Sequence, residues 1–186
     1  LEINLRNFID KLKDVQNLLT KNMALKNLSL NCTGLNKLIT GNEFSGHISS
    51  LIVYLPDIES FHMNCKGLSF FGDAEVKELS TFLSSKTNLK SLSLNFSSCQ
   101  SITDESLKYI KKTLKQLSNL QHFSLACNSC YKVTDLGLTF LKEGVKAGCF
   151  VSSLALSFNY TPDHWTLFKI HPKITDKGLS QIAEVI

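Results

Sequence analysis

Long apolar runs and a strong excess of one charge are both missing from this chain of 186 residues. The longest apolar run, LIVYLP at 51–56, is far shorter than the roughly 20 residues of a membrane-spanning helix. Basic residues number 20 and acidic residues 16, so the formal net charge of +4 is well below that of a dedicated nucleic-acid-binding domain. We therefore expect neither a membrane nor nucleic acid as a partner.

Proline and cysteine are scarce, with three and six residues respectively. Six cysteines are too few for a small secreted disulfide scaffold, and they fit a reducing compartment in which thiols serve as small apolar side chains. No segment at the start resembles a signal peptide, although a chain beginning at Leu1 is compatible with a removed leader. We expect a cytoplasmic or nuclear location.

Catalytic motifs are absent as well. The sequence contains no glycine-rich phosphate loop, no H-E-x-x-H pair, no EF-hand loop and no G-x-S-x-G elbow. We therefore expect no enzymatic activity, no cofactor and no small-molecule substrate.

What the sequence does contain is an internal repeat. Five segments carry apolar residues at their first, fourth, sixth and eighth positions, and their starts are almost evenly spaced along the chain. The alternation at positions four, six and eight predicts a short strand with one buried face. The segments are LKNLSLNC from Leu25, IESFHMNC from Ile58, LKSLSLNF from Leu89, LQHFSLAC from Leu120 and VSSLALSF from Val151.

A second pattern, with helical spacing, lies between the strands. Apolar residues three and four positions apart recur in the same columns of successive repeats, which predicts one helix per repeat. The columns are Leu12, Val15 and Leu19; Val76, Leu79 and Leu83; Leu107, Ile110 and Leu114; Leu138, Leu141 and Val145; and Leu179, Ile182 and Ile186.

Three of these helices open with related signatures: ITDESL at 102–107, VTDLGL at 133–138 and ITDKGL at 174–179. Thr or Asp can accept hydrogen bonds from the free amides of a first helical turn, and the acid complements the helix dipole. Because the Thr-Asp pair recurs at successive helix starts, it predicts capping rather than a catalytic carboxylate.

A strand followed by a helix in each repeat predicts a solenoid. The L-x-x-L-x-L strands joined to I-T-D-x-x-L-x-x-I helices resemble the leucine-rich repeat superfamily, most closely its ribonuclease-inhibitor-like and cysteine-containing subtypes. The asparagine usual after the strand is present only as Asn128 and Asn159. The resemblance covers essentially the whole chain. It implies an α/β solenoid, a horseshoe arc with a parallel β-sheet on the concave face and α-helices on the convex face.

The alignment of the five segments and their helices, which we call the repeat frame, predicts a single solenoid. Neither end carries the polar cap that usually terminates a repeat array, so we expect a fragment of a longer array. The last unit contains a ten-residue insertion relative to the others. The predicted boundaries are 1–24 for a partial repeat, 25–57, 58–88, 89–119 and 120–150 for full repeats, and 151–186 for the unit with the insertion.

The concave face is predicted to display positions two, three, five and seven of each repeat. These residues are small, polar and weakly charged, and they lack the aromatic anchors that dominate interface energetics. The pattern fits a solvated sheet and a protein-binding face equally. A metal site between His62 and His122 is not expected, because they lie two repeats apart with no carboxylate column beside them. The candidate binding residues on this face are His62, Lys90, Gln121 and His122.

The insertion, within NYTPDHWTLFKIHPK at 159–173, is the second candidate binding region. Insertions in solenoids often lie on the binding rim, and Trp and Tyr are favoured interface anchors. The same aromatic residues are also suited to pack over the solenoid edge as a satellite core. The candidate residues are Tyr160, His164, Trp165 and Phe168.

Cys127 and Cys130 form a C-x-x-C pair shortly after His122, an arrangement known from zinc knuckles and redox thiol pairs. The repeat gives another explanation. Cys127 occupies the inward eighth position, and Cys130 lies one repeat after Cys99, in the turn that follows the strand. We predict two free, buried thiols without zinc.

An extended surface without a chemical site predicts a protein–protein interaction scaffold or adaptor that uses the concave face and the 159–173 loop. The lysines of the helix after residue 104 are interpreted as a solvated convex face. Three alternatives stay open: the substrate-recognition part of an F-box-type ubiquitin-ligase receptor, a GTPase-activating regulator, and a structural subunit of a large assembly. The protein partner itself is not predicted.

Overall fold

The computed structural model describes residues 1–4, 25–35, 40–41, 43–44, 46–48, 55, 57–148, 151–159 and 173–183. Six strands form one parallel sheet whose spatial order follows the chain. Each strand pairs with the strand that precedes or follows it in the chain, as expected when every strand–helix unit stacks on the preceding one. The strands are β1 (Glu2–Asn4), β2 (Asn27–Asn31), β3 (Ser60–Asn64), β4 (Ser91–Asn95), β5 (His122–Ala126) and β6 (Ser153–Ser157).

The register of the sheet follows the repeat without slippage. Leu92 of β4 lies opposite Phe61 on one side and Phe123 on the other, and the same offset holds along the strand. Because side chains alternate across a strand, a slip of one residue would expose the whole apolar set. The predicted apolar columns therefore fix the register.

Helices cover the other side of the sheet. Those with described bounds are α1 (Asp73–Leu83), α2 (Asp104–Gln116), α3 (Asp135–Gly148) and α4 (Asp176–Ala183). Within the described ranges, none of the helices combines the length and the apolar character needed to cross a bilayer. This arrangement confirms the predicted fold class, a leucine-rich-repeat-like α/β solenoid with strands on one face and helices on the other.

The core lies between the sheet and the helices. The predicted helical columns of α1, α2 and α3 are buried, and the inward strand residues from Leu28 to Leu125 are at most 2% exposed. Leu179 of α4 is the exception, at 52% exposure, although the same column holds the fully buried Leu107 and Leu138. The reason is stacking, since a core column is closed only when repeats cover it on both sides. The predicted helix column Leu12, Val15 and Leu19 lies outside the described residues.

The Thr-Asp pairs cap the helices, as predicted, but the aspartates act across repeats. Asp104, the first residue of α2, accepts hydrogen bonds from the Thr134 amide (2.8 Å), the Thr134 hydroxyl (2.7 Å) and the Gly137 amide (3.0 Å). The threonine caps its own helix, because the Thr134 hydroxyl accepts from the Leu136 amide at 3.2 Å. Each aspartate therefore fixes the start of the next helix.

The same bridge joins the neighbouring units. Asp73 accepts from the amide of Thr103 (3.1 Å), from its hydroxyl (2.7 Å), and from the amide and hydroxyl of Ser106. Asp135 accepts from the Thr175 amide (2.8 Å) and hydroxyl (2.6 Å), and these bonds hold the pKa of Asp135 below its ordinary value. The aspartates thus form a ladder of charge-assisted hydrogen bonds along one edge of the solenoid.

A left-handed residue follows the strand in four repeats. Gly34 and Gly67 have φ angles of 80° and 74°, and Ser98 and Ser129 occupy the same repeat position at 62° and 56°. A residue with a side chain rarely adopts this conformation, so the backbone of the turn is dictated by the repeat rather than by the local residue type.

Lys86 stands in the core column that holds Leu55 and Leu117 in the adjacent repeats, and it is only 8% exposed. Burial lowers the pKa of Lys86, because the ammonium loses hydration. We expect Lys86→Leu to raise the free energy of unfolding at pH 7 by about 1 kcal/mol, measured by urea denaturation.

The pH dependence supplies the control. A lowered pKa means that the cost of desolvating the ammonium is fully present below the folded pKa and declines as pH rises toward the unfolded value near 10.4. The advantage of Lys86→Leu over the wild type should therefore shrink in alkaline solution. A leucine variant that is less stable than the wild type at pH 7 would contradict this interpretation.

Candidate protein-interaction surface

Position two of each repeat forms a continuous row at the start of the strands. The amide of Glu59 donates to the Lys26 carbonyl at 2.7 Å, Lys90 to Glu59 at 2.7 Å, Gln121 to Lys90 at 2.9 Å and Ser152 to Gln121 at 2.8 Å. These bonds extend the sheet ladder by one residue, so the side chains stand one strand spacing apart, about 4.8 Å. The backbone therefore holds a row of polar side chains in fixed order.

Glu59 is the centre of this row. Its two carboxylate oxygens accept from the ammonium groups of Lys26 at 2.5 Å and Lys90 at 2.7 Å. The Glu59 side chain is 26% exposed, against 62% for Lys26 and 52% for Lys90. The result is an ordered three-residue ion-pair chain that solvent and a partner can both reach.

The two lysines lower the pKa of Glu59 to about 2, with the hydrogen bond from Lys26 as the largest cause and that from Lys90 next. A depressed carboxyl pKa stabilises the fold above the unfolded value near 4.3, and this contribution is lost as pH falls through about 2. We expect an NMR titration of the Glu59 carboxyl carbon at low salt to give a midpoint near 2, and Lys26→Gln to raise it. A midpoint near 4.3 in the wild type would contradict the ion-pair chain.

A shallow groove of about 440 Å³ runs beside this row. The Asn88 side-chain amide donates to the Asp57 carboxylate at 3.4 Å, and the Asn119 amide donates to the Thr87 carbonyl at 2.9 Å. These contacts fix the positions of the Asn88 and Asn119 side chains in the groove. We name this feature the rim groove, and its lining residues are Lys26, Asp57, Glu59, Asn88, Lys90, Asn119 and Gln121.

The structure places two of the predicted binding residues in the rim groove and two beside it. Lys90 and Gln121 line the groove directly. His122 begins β5 immediately after Gln121, and His62 lies in the middle of β3, both exposed. The strand β4 separates the two histidines, which places them on the same face but apart. Tyr160, His164, Trp165 and Phe168 lie outside the described residues.

Three further residues of the rim groove were not among the sequence candidates. Asp57, Asn88 and Asn119 each precede the first position of a strand segment, so they form a column one residue before the repeat frame used for the prediction. Their recurrence once per repeat was the available signal. Lys26 and Glu59 were also not selected, although alternating charges one strand apart predict ion pairs.

The asparagines at position seven are less available than the repeat frame predicted. The side-chain oxygens of Asn31, Asn64 and Asn95 each accept from the backbone amide two residues ahead, at 3.1, 3.2 and 3.0 Å. All three are half-buried in the sheet. They stabilise the turn after the strand in the manner of an Asx turn, so each side-chain oxygen is already engaged by the backbone.

The C-x-x-C pair belongs to the core. Cys127 is 2% exposed and Cys130 is 6% exposed, and both are free thiols. The hydrogen bond with Cys130 and burial raise the pKa of Cys127, while burial raises the pKa of the neighbouring Cys99 to about 12. Among the described residues, no three His, Cys, Asp or Glu side chains are grouped as metal ligands would be. The absence of zinc stays a prediction, which a metal assay of the purified protein tests.

Strands in chain order, helices behind them and a polar sheet face define a leucine-rich-repeat-like solenoid. One similar solved structure is the tropomodulin C-terminal domain from the structural genomics of Caenorhabditis elegans, with a TM-score of 0.61 and 13% sequence identity. The similarity covers 94% of this chain and 90% of that one. No family model and no curated protein matches the chain. At this identity the likeness shows a shared fold.

These comparisons correct the family assignment made from the sequence. The chain matches no model of a ribonuclease-inhibitor-like or cysteine-containing leucine-rich repeat, and the similar structure is a tropomodulin domain. The assignment to those subtypes was therefore wrong. The physical reason is that leucine and cysteine columns fill the core of any solenoid with this period, so they indicate the fold and not the family.

Proposed function

We propose that this chain is a non-enzymatic protein-recognition module that binds a protein partner with the rim groove and the adjoining concave face. The observation that carries the proposal is the row Lys26, Glu59 and Lys90, whose charged groups are ordered by the sheet backbone and remain accessible. Side chains held in place before binding lose little conformational entropy when a partner docks.

The chemistry of the rim groove favours a polypeptide partner. It offers two ammonium groups, two carboxylates, two side-chain amides and a glutamine within one surface, so it presents donors and acceptors of both kinds. A polypeptide carries complementary groups of both kinds along its backbone and side chains. Mixed charge patterns of this sort give orientation and partner selectivity more than raw affinity.

The test is affinity capture with quantitative mass spectrometry, comparing the wild type with Lys90→Ala/Gln121→Ala. We expect partners bound through the rim groove to be depleted about tenfold or more in the double variant, because interface hot-spot truncations cost at least about 1–2 kcal/mol each. Thermal unfolding should be nearly unchanged, since both side chains are exposed.

The matched control is Lys146→Ala/Gln116→Ala, which removes the same two residue types from the exposed ends of α3 and α2. This control should retain the wild-type partners. Equal loss of partners in both double variants, or no loss in either, would refute the assignment of binding to the rim groove.

The 159–173 insertion is proposed as a second contact for the same partner. This rests on its aromatic content and its place in the repeat frame, since residues 160–172 lie outside the described part of the chain. Trp165→Ala is expected to weaken capture while leaving the circular dichroism spectrum unchanged. Loss of folded structure in this variant would instead support a satellite core.

A further inference from the structure

The outer side of β6 is an open strand edge. Among the residues that the structure describes, β6 pairs with β5 and with no other strand. The Ser153 amide and the Ser157 carbonyl both hydrogen-bond toward the β5 side. Because the backbone groups of successive residues point to opposite sides of a strand, those of Leu154 and Leu156 point to the outer edge. This edge therefore offers two amides and two carbonyls to an incoming strand.

The apolar layers of the solenoid are also open at this end. Leu154 and Leu156 are half-buried, whereas the residues opposite them on β5, Phe123 and Leu125, are at most 1% exposed. In the helical layer, Leu179 of α4 is 52% exposed. Removal of such surface from water is favourable by about 25 cal/mol per Å². A partner that extends both the sheet and the helical layer would gain from both.

The strand at this edge lacks the features that usually keep sheet edges apart. Edge strands are commonly protected by charged side chains or by proline. Residues 151–159 contain neither, whereas β1 at the opposite end of the sheet carries the exposed Glu2. Position two, which is charged at Glu59 and Lys90, is Ser152 beside β6. No charge on the strand therefore opposes the approach of an identical strand.

We propose that β6 pairs antiparallel with β6 of a second copy of this chain and joins the two sheets into one. The strand SLALS reads the same in both directions. An antiparallel pair centred on Ala155 therefore sets Ser153 opposite Ser157 and Leu154 opposite Leu156. The outward amides of the two leucines in each copy then donate to the outward carbonyls of the two leucines in the other.

The symmetry of this pair also accounts for the exposed helix face. A two-fold axis perpendicular to the sheet keeps both helical layers on the same side, so α4 of one copy faces α4 of the other and Leu179 is covered. The strand NLSLN of β2 has the same symmetry, but it is paired on both sides. The pair involves none of the lining residues of the rim groove, so this proposal is independent of the proposed function.

Sedimentation equilibrium over a concentration series tests the pairing. We expect the wild-type chain to form a reversible dimer and Ala155→Lys to raise its dissociation constant at least about tenfold. The reason is that the two-fold axis sets the two ammonium groups opposite each other, on strands whose facing Cα atoms are about 4.5 Å apart. Ala155 is exposed, so the circular dichroism spectrum of the variant should stay unchanged.

Ser93→Lys is the matched control, because Ser93 lies in the same column two strands away from the edge. It should change the dissociation constant less than about twofold. Mixing Ala155→Lys with Ala155→Glu should restore dimers, since opposite charges then face each other across the axis. A wild type that stays monomeric at every concentration, equal weakening by both lysine variants, or no recovery in the mixture would each overturn the proposal.

Cross-linking of Ala155→Cys identifies the occupant of the edge. Facing Cα atoms about 4.5 Å apart are within disulfide range. Oxidised glutathione should therefore convert the two introduced thiols into an intermolecular disulfide, while it is itself reduced to two molecules of glutathione. Ser93→Cys should stay uncross-linked on a non-reducing gel. An edge covered by other residues of the same chain, or by a strand of another protein, leaves Ala155→Cys uncross-linked as well, and that result contradicts the proposal.

Discussion

Replacing Phe96 with alanine is expected to lower the free energy of unfolding by about 3–5 kcal/mol, enough to remove much of the stability of a typical domain. Phe96 is fully buried, and its ring lies 5.1 Å from that of Phe71, centroid to centroid. Phe71 in turn packs edge-on against Phe44 at 5.7 Å. Truncation would leave a cavity between repeats that the neighbouring ordered rings cannot collapse to fill.

The repeat frame alone would suggest that cysteine is acceptable at this site. Position eight holds Cys32, Cys65 and Cys127 in other repeats, so Phe96→Cys matches the column. We nevertheless expect Phe96→Cys to cost about 2–4 kcal/mol, because the aromatic stack that surrounds Phe96 has no counterpart around a thiol.

Urea denaturation followed by circular dichroism measures both variants. The control is Cys65→Ala, in which a fully buried thiol in the same column is shortened and about 1 kcal/mol is expected to be lost. If Phe96→Cys proved as mild as Cys65→Ala, the aromatic stack would not be a major part of the core.

Asp104→Ala is expected to lower the free energy of unfolding by about 2–3 kcal/mol and the melting temperature by roughly 5–10 °C. The change leaves the amide and the hydroxyl of Thr134 without their acceptor. It also removes one of the two acceptors of the Gly137 amide, which keeps its bond to the Thr134 carbonyl at 3.0 Å. Because these donors begin α3 whereas Asp104 begins α2, one substitution weakens the contact between two repeats.

Glu105→Ala is the matched control. Glu105 is the next acid on the same helical turn, but it is exposed and pairs only with Lys108 among the described residues. We expect a loss of about 0.5 kcal/mol or less. The loss of stability for Asp104→Asn should lie between these two values, because the asparagine oxygen still accepts hydrogen bonds but carries no negative charge. Equal effects of Asp104→Ala and Glu105→Ala would show that the cross-repeat ladder contributes nothing beyond the helix dipole.

The fold could be predicted from the sequence because the repeat determines it. Each repeat contains a strand-like alternation of apolar residues and then a helix-like spacing of apolar residues. Placing the equivalent strands of successive repeats side by side gives the parallel sheet. The register of Leu92 opposite Phe61 and Phe123 is what the alignment required. Local patterns that recur in register are strong evidence for architecture.

Interactions between repeats were harder to predict. The capping role of the Thr-Asp pair was correct, but a sequence pattern within one repeat does not show that Asp104 reaches Thr134 in the next one. The exposure of Leu179 had the same origin, because burial depends on what covers a column and not on the column itself. Both features are properties of stacking.

The residues of the rim groove were predicted in part. Lys90 and Gln121 were selected as polar residues on the concave face, and they line the rim groove. Asp57, Asn88 and Asn119 were missed because they stand just before the strand segment, where the chain still counts as a loop in the repeat frame. Side chains from a loop and from a strand can be seen to meet at the rim only when the backbone geometry is known.

Hydrogen–deuterium exchange of the chain with and without a captured partner is the most direct test of the proposed recognition surface. We predict that partner binding slows exchange at residue 26 and at residues 57–59, 88–90 and 119–121, which contain the lining residues of the rim groove, and leaves the outer turns of α1, α2 and α3 unchanged. Protection confined to the helices, with unchanged exchange along the rim groove, would contradict it.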